Sequence, residues 1–226
     1  MNVNALSELE QARFNMVEQQ IRPWNVLDPD VLQALFDTPR ERFVPPSMQS
    51  LAFSDIELPL IIDSVDTHEV MLAPKLEARL AQELLLQPGD GVLEIGTGSG
   101  YQAALLAKLA QQVTSIEIDS RIAAFGEENL RRNQIDNVTV EVGDAHAGWG
   151  TAEYDAILVT GSVPEVPDGL KYQLAIGGRL VVVVGQLPVM TAVRITRTSA
   201  ASFETVSLFD TVIKSLRGIT VSQFKF

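Results

Sequence analysis

The stretch Val92-Leu-Glu-Ile-Gly-Thr-Gly-Ser-Gly-Tyr101 decides the fold. Its first half is a short, mostly apolar strand. Its centre carries glycine at every second position, and Tyr101 opens a helical pattern that runs to Ala110. A glycine-rich turn between a strand and a helix is where a backbone closely approaches a ligand. Gly96, Gly98 and Gly100 permit that approach and tolerate positive φ. A dinucleotide fingerprint reads G-x-G-x-x-G, which puts its third glycine at 101, where tyrosine stands. The pattern here is instead Glu94-x-Gly96-Thr97-Gly98-x-Gly100, with a carboxylate at the strand end.

Outward from that turn the chain alternates strand and helix. Leu76, Leu80 and Leu84 repeat every four residues and mark a helix ended by Pro88-Gly89. Val113–Ile118 reads as a strand, Arg121–Asn133 as a helix and Val138–Val142 as a strand. Tyr154–Thr160 is a strand with Gly161 after it, Asp168–Ala175 a short helix and Arg179–Gly185 a buried strand. Such alternation predicts a parallel sheet covered on both faces. From Met190 the period changes, and Ala192–Thr196, Phe203–Phe209 and 219–226 read as strands of an antiparallel edge. Before Pro74 the chain reads as short helices: one from a Ser7/Glu10 capping box toward Ile21, another after Asp28-Pro29. Residues 40–74 carry no pattern and read as lid or binding loops.

Acidic residues recur at the strand ends. Glu117 lies about twenty residues after the glycine loop, placed to accept ribose hydroxyls. Asp119 is the weaker candidate there, suited to capping the next helix. Asp144, with Ala145 beside it, follows the third strand and is placed to accept from an adenine amino group.

Composition removes other classes. The chain has 226 residues and no cysteine, so disulfides, thiol nucleophiles and thiolate metal sites are excluded. Its net charge of −12 opposes binding to nucleic acid or an anionic membrane. No apolar run approaches the ~20 residues of a membrane span. The start, MNVNALSELEQ, shows no signal peptide, so a soluble, cytoplasmic protein is expected. His68-Glu69 begins like a zinc-protease motif, but position 72 is leucine, and no metal site is expected. No G-x-S-x-G elbow or Walker lysine loop is present.

The glycine loop resembles the first signature of Rossmann-like methyltransferases that use S-adenosylmethionine. With the cap motifs it resembles one family, the protein-L-isoaspartate O-methyltransferases. The likeness runs from about Phe14 to about Thr198. It rests on Met16-Val-Glu-Gln-Gln-Ile21, Pro39-Arg-Glu-Arg-Phe-Val-Pro45, Leu58-Pro59, the glycine loop through Ala103, Gly143-Asp144, Gly148-Trp149 and Gly177-Gly178-Arg179-Leu180. The resemblance implies a Rossmann-like α/β sheet with a helical cap. Residues 1–74 would be cap and substrate loop, and 75–226 the S-adenosylmethionine-binding part of one compact unit. It implies methyl transfer to a carboxylate of damaged protein. Glu94, Gly96, Thr97, Gly98, Gly100, Tyr101, Glu117, Asp144 and Ala145 would hold the cofactor, with Tyr101 covering its methionyl end.

The likeness breaks where substrate should bind. After Leu-Pro the family carries Gly-Gln-Thr-Ile-Ser-Gln-Pro. Here the segment is Leu60-Ile-Ile-Asp-Ser-Val-Asp-Thr-His-Glu-Val-Met-Leu-Ala-Pro74. Aligning the prolines puts Val70 at the Thr position and Leu72 at the Ser, and a leucine donates no hydrogen bond. Ser64 and Thr67 are the candidate replacements, and His68 is the candidate general base for a hydroxyl or amine acceptor. The tail, Phe209 to Arg217, also lacks the family's Phe-Val-Pro-Leu-like segment. Lys214 and Arg217 read as solvated charges, His146 as a cofactor-rim residue that packs rather than acts as a base, and Trp24 and Trp149 as core or cofactor-edge aromatics. Three readings stay open: isoaspartyl methylation, methylation of another protein or small molecule, and cofactor binding without catalysis. A nicotinamide oxidoreductase is opposed by Tyr101.

Overall fold

The computed structural model describes residues 7–218; the expected strand over 219–226 lies outside them. Helix α1 (Glu8–Asn15) starts at the capping box: Ser7 N–H donates to Glu10 Oε2 at 2.8 Å, and Glu10 N–H to Ser7 Oγ at 3.3 Å. The expected run to Ile21 continues, but Met16–Ile21 is wound as a π-helix. The wider turn lets Met16, Val17 and Ile21 all be buried. Helix α2 (Pro29–Asp37) is capped by Asp28, which accepts from the N–H groups of Asp30 and Val31.

The unpatterned stretch contains a β-hairpin, β1 (Leu58–Ile62) and β2 (Val65–Met71). Asp63 and Ser64 form its turn, both with positive φ, as a tight hairpin turn requires. Pro59 pairs with Val70 and Ile61 with Asp66, so residues 67–69 bulge opposite Leu60. His68 sits in the bulge at φ 62°.

Helix α3 (Pro74–Glu83) leads to the main sheet. Its elements are β3 (Gly91–Ile95), α4 (Tyr101–Leu109), β4 (Gln112–Glu117), α5 (Ser120–Arg132) and β5 (Val138–Val142). After them come β6 (Tyr154–Val163), α6 (Asp168–Tyr172), β7 (Leu174–Gln186), β8 (Val189–Ser199) and β9 (Ser202–Asp210). The seven strands lie in the order β5-β4-β3-β6-β7-β8-β9. Pairings through β7 are parallel, and β7–β8 and β8–β9 are antiparallel. The order reverses between β3 and β6, and the crevice beyond the ends of those strands is where such sheets bind ligands. Strand β6 outruns its expected end at Thr160, because Ser162 and Val163 still pair with β7.

One apolar core joins residues from Met16 to Ala78 with Tyr101, Leu105 and Leu130 of α4 and α5. A second joins Leu72, Leu76 and Leu80 to Leu106, the sheet and Ile213. Among the described residues no helix is long and apolar enough to cross a membrane.

Candidate functional site

The loop after β3 is forced into its path by close neighbours. Gly96 has φ +101°, and a Cβ there would sit 2.2 Å from Thr160 Oγ1. That hydroxyl donates to the Ile95 and Gly96 carbonyls, both at 2.9 Å. Behind the loop, Gly126 of α5 packs so closely that a Cβ would lie 2.7 Å from Thr97 Cγ2 and 3.0 Å from Gly98 O. The glycine in α5 is therefore part of the loop's seat.

The crevice is bounded on one side by the loop and the ends of β4 and β5. Glu117, only 8% exposed, accepts from Gly98 N–H at 3.1 Å and Asp119 N–H at 3.2 Å. Burial pushes its carboxyl above the ordinary range, against the pull of those amides. Asp119 caps α5 by accepting from Arg121 N–H at 2.9 Å. Asp144 lines the crevice half-exposed and binds the N–H and Nδ1 of His146, at 3.1 and 2.8 Å. Its pKa is lowered, chiefly by the His146 N–H. His146 lines the crevice at the expected rim, half-exposed rather than packed. Trp149 packs its ring on Gly143, under the loop that carries Asp144. Trp24 is exposed beneath the ammonium of Lys75, 4.0 Å from its ring centre, away from both core and crevice.

Gly96, Thr97, Gly98, Glu117, Asp144 and Ala145 thus meet in one crevice. Three other expected residues do not reach it. Glu94 is fully buried beneath the loop, where it accepts the Ser115 hydroxyl, which also bonds Thr97 Oγ1 at 2.7 Å. Burial pushes its carboxyl up to about 8, and the Ser115 hydroxyl ties it to the loop. Gly100 turns its back on the crevice and abuts the Gly126 carbonyl. Tyr101 faces the cap: its ring meets Phe43 edge-on at 5.5 Å and lies 4.9 Å from the Arg40 guanidinium. It covers no part of the crevice.

The hairpin candidates are also displaced. Ser64 is in the exposed turn, and the His68 side chain is 85% exposed. Thr67 is buried with its hydroxyl committed, donating to Leu60 O at 2.8 Å and accepting from Glu69 N–H at 3.2 Å. The bulge instead turns Glu69, Val70 and Leu72 to the crevice.

Sequence reasoning missed the opposite wall. After β9 the chain returns to β6, where Ser162 N–H donates to Lys214 O and Leu216 N–H to Ser162 O. This holds Lys214 and Arg217 over the crevice as paired groups, not solvated charges. Arg217 donates to Glu69 at 2.5 Å, Asp119 at 3.1 Å and Thr67 O at 2.8 Å. Lys214 donates to the His68 carbonyl and pairs with Glu69 at 2.9 Å. Nothing local in the sequence signals these contacts. Deeper in, Glu77 is paired with the fully buried Arg40, which also donates to Leu72 O at 2.8 Å. Burial still pushes Glu77 up to about 7.

The fold is that of the Rossmann-like S-adenosylmethionine-dependent methyltransferases. A Plasmodium falciparum chain assigned as a protein-L-isoaspartate O-methyltransferase, solved with S-adenosyl-L-homocysteine, superposes with a TM-score of 0.77 at 21% identity, over 94% of this chain and 99% of that one. A second structure, a protein-L-isoaspartate O-methyltransferase, gives 0.77 at 27% identity, over 92% of this chain and 66% of that one. The family model for protein-L-isoaspartate(D-aspartate) O-methyltransferase matches residues 11–213. The protein-L-isoaspartate O-methyltransferase of Rhodopseudomonas palustris is 40% identical over 90% of this chain and 92% of its own. That of Protochlamydia amoebophila is 44% identical over 75% and 79%. The chain belongs to the protein-L-isoaspartate(D-aspartate) O-methyltransferase family.

Proposed function

We propose that this protein binds S-adenosylmethionine in the crevice and methylates the free carboxylate of isoaspartyl residues in damaged protein. Glu117 carries the reading: a buried carboxylate on the crevice wall, held by Gly98 N–H, suits the hydroxyls of a ribose. The donor set fits a nucleoside without phosphate. At the start of α4 the amides are already engaged, Gly100 N–H by Thr97 O at 2.9 Å and Tyr101 N–H by Ser99 Oγ at 3.3 Å. A pyrophosphate needs such amides free. Carboxylates around the crevice likewise suit a cationic ligand.

Glu117 would hold the ribose, and Asp144 with Ala145 the adenine. The Gly96–Gly98 backbone would flank the methionyl part. When bound, S-adenosylmethionine supplies an electrophilic methyl group on a sulfonium. An acceptor carboxylate is ionised at neutral pH, so the protein need supply no base. Its contribution is to align acceptor and donor and to exclude water. The cap and hairpin before Pro74 would serve mainly the acceptor, and the glycine loop with the ends of β4 and β5 the nucleoside.

A second reading has one observation in its favour. Val70 and Leu72 present apolar side chains to the crevice where the family pattern has hydroxyls, which suits a different acceptor. Transfer from labelled S-adenosylmethionine to an isoaspartyl peptide, with the aspartyl peptide as control, decides between them. Base-labile label on the isoaspartyl peptide alone supports the first. Cofactor binding without transfer assigns the crevice to another acceptor or to none.

A further inference from the structure

Gln102 stands out among the crevice residues. It lies in the first turn of α4, is only 5% exposed and lines the crevice with Leu72 and Glu77. Among the described residues neither its Oε1 nor its Nε2 has a hydrogen-bond partner. Buried amides are ordinarily satisfied, and leaving both ends of one unpaired is costly unless a ligand completes them. Leu106, one turn further along α4, packs in the same cluster as Leu72 and Leu76. Gln102 thus shares the crevice with Val70 and Leu72 of the hairpin wall that has lost its hydroxyls, while Glu117 and Asp144 follow β4 and β5.

We propose that Gln102 orients the acceptor and sets its specificity, taking the place of the hydroxyls absent at positions 70 and 72. This rests on the isoaspartyl reading above. An isoaspartyl residue carries its free carboxylate and its peptide N–H on the same carbon. One side-chain amide matches that pair: Nε2 donates to the carboxylate, and Oε1 accepts the N–H. In an ordinary aspartyl residue the free carboxylate is one carbon further from the N–H, so the two ends of the amide cannot both be served. Neighbouring groups fit this role poorly. The Arg217 guanidinium is spent on Glu69, Asp119 and Thr67, and the Glu77 carboxyl is engaged by Arg40.

The test uses the full protein with saturating S-adenosyl-L-homocysteine and an isoaspartyl peptide, followed by calorimetry. Methylating the peptide nitrogen of the isoaspartyl residue should weaken binding by about tenfold, because one buried hydrogen bond is lost. Gln102→Met should raise the KM for the peptide by about tenfold or more, with the Kd of S-adenosyl-L-homocysteine held within about twofold. That retained affinity also reports a folded variant. Peptide binding indifferent to N-methylation overturns the inference. So does a Gln102→Met variant that loses cofactor affinity and keeps its KM. If the wild-type protein neither binds nor methylates the parent peptide, the isoaspartyl reading falls, and this inference with it.

Discussion

Arg217 Nε donates to Glu69 Oε1 at 2.5 Å, joining the C-terminal segment to the hairpin bulge across the mouth of the crevice. Both side chains are partly exposed, so the pair adds less than about 1 kcal/mol to folding. Its effect should appear in ligand release. Arg217→Met is expected to leave the unfolding midpoint nearly unchanged and to speed S-adenosyl-L-homocysteine dissociation about threefold. Stopped-flow displacement measures this, and wild-type release should itself quicken with added salt as the clasp is screened.

Glu117→Ala should weaken S-adenosylmethionine binding by about 10- to 100-fold, the value of charge-assisted hydrogen bonds of about 1.5–3 kcal/mol. Burial raises the pKa of Glu117, so wild-type affinity should fall as pH drops through that raised value. Glu117→Gln should lose this pH limb. Calorimetric titration across pH reads both; unchanged affinity in the Ala variant sinks the ribose assignment.

Glu94 and Glu77 are raised from 4.5 to about 8 and about 7, each chiefly by burial. Both bind a proton more tightly in the folded chain, so folding takes up protons between those limits. Their contribution is fullest below about pH 4.5 and is lost as pH rises toward 8. Glu128, held down to about 2 first by its hydrogen bond to Arg131, titrates below that window. Urea midpoints should therefore decline from about pH 5 to about pH 8, and Glu94→Gln should flatten the decline.

Gly126→Ala would push a methyl against Thr97 Cγ2 and the Gly98 carbonyl. Overpacking of this kind costs about 1–3 kcal/mol. Because the obstructed atoms belong to the glycine loop, cofactor affinity should fall along with the unfolding midpoint. Loss of one without the other would separate the loop from its seat.

Leu72→Ser restores the hydroxyl of the family pattern but removes a side chain from a packed cluster. It should cost about 2–4 kcal/mol in stability. Isoaspartyl kcat/KM should stay within about threefold, since Gln102 already serves the carboxylate. A large gain would instead give position 72 the orienting role.

The parallel core was legible because its strands are apolar runs closed by glycine or acidic residues. The places of Glu117 and Asp144 at the crevice follow from the strand ends alone. The hairpin was hidden by Pro59, by a turn of Asp63 and Ser64 without glycine, and by a bulge that breaks alternation at 67–69. The helix phase takes Tyr101 away from the crevice: one residue is about 100° around the axis, and Gln102 takes the crevice side. Arg217 left no trace, because its partners Glu69 and Asp119 lie far away in the chain.

The return of the chain from β9 to the crevice also sets an order of assembly. Chains are made from the N-terminus, and each crevice group before Lys214 is synthesised well ahead of Arg217. A growing chain can complete the sheet and its glycine loop while the mouth still lacks its last wall. The nascent protein should therefore acquire the groove beside the glycine loop first, and the wall of Lys214 and Arg217 only after it. A ligand captured early would be enclosed as the last wall arrives.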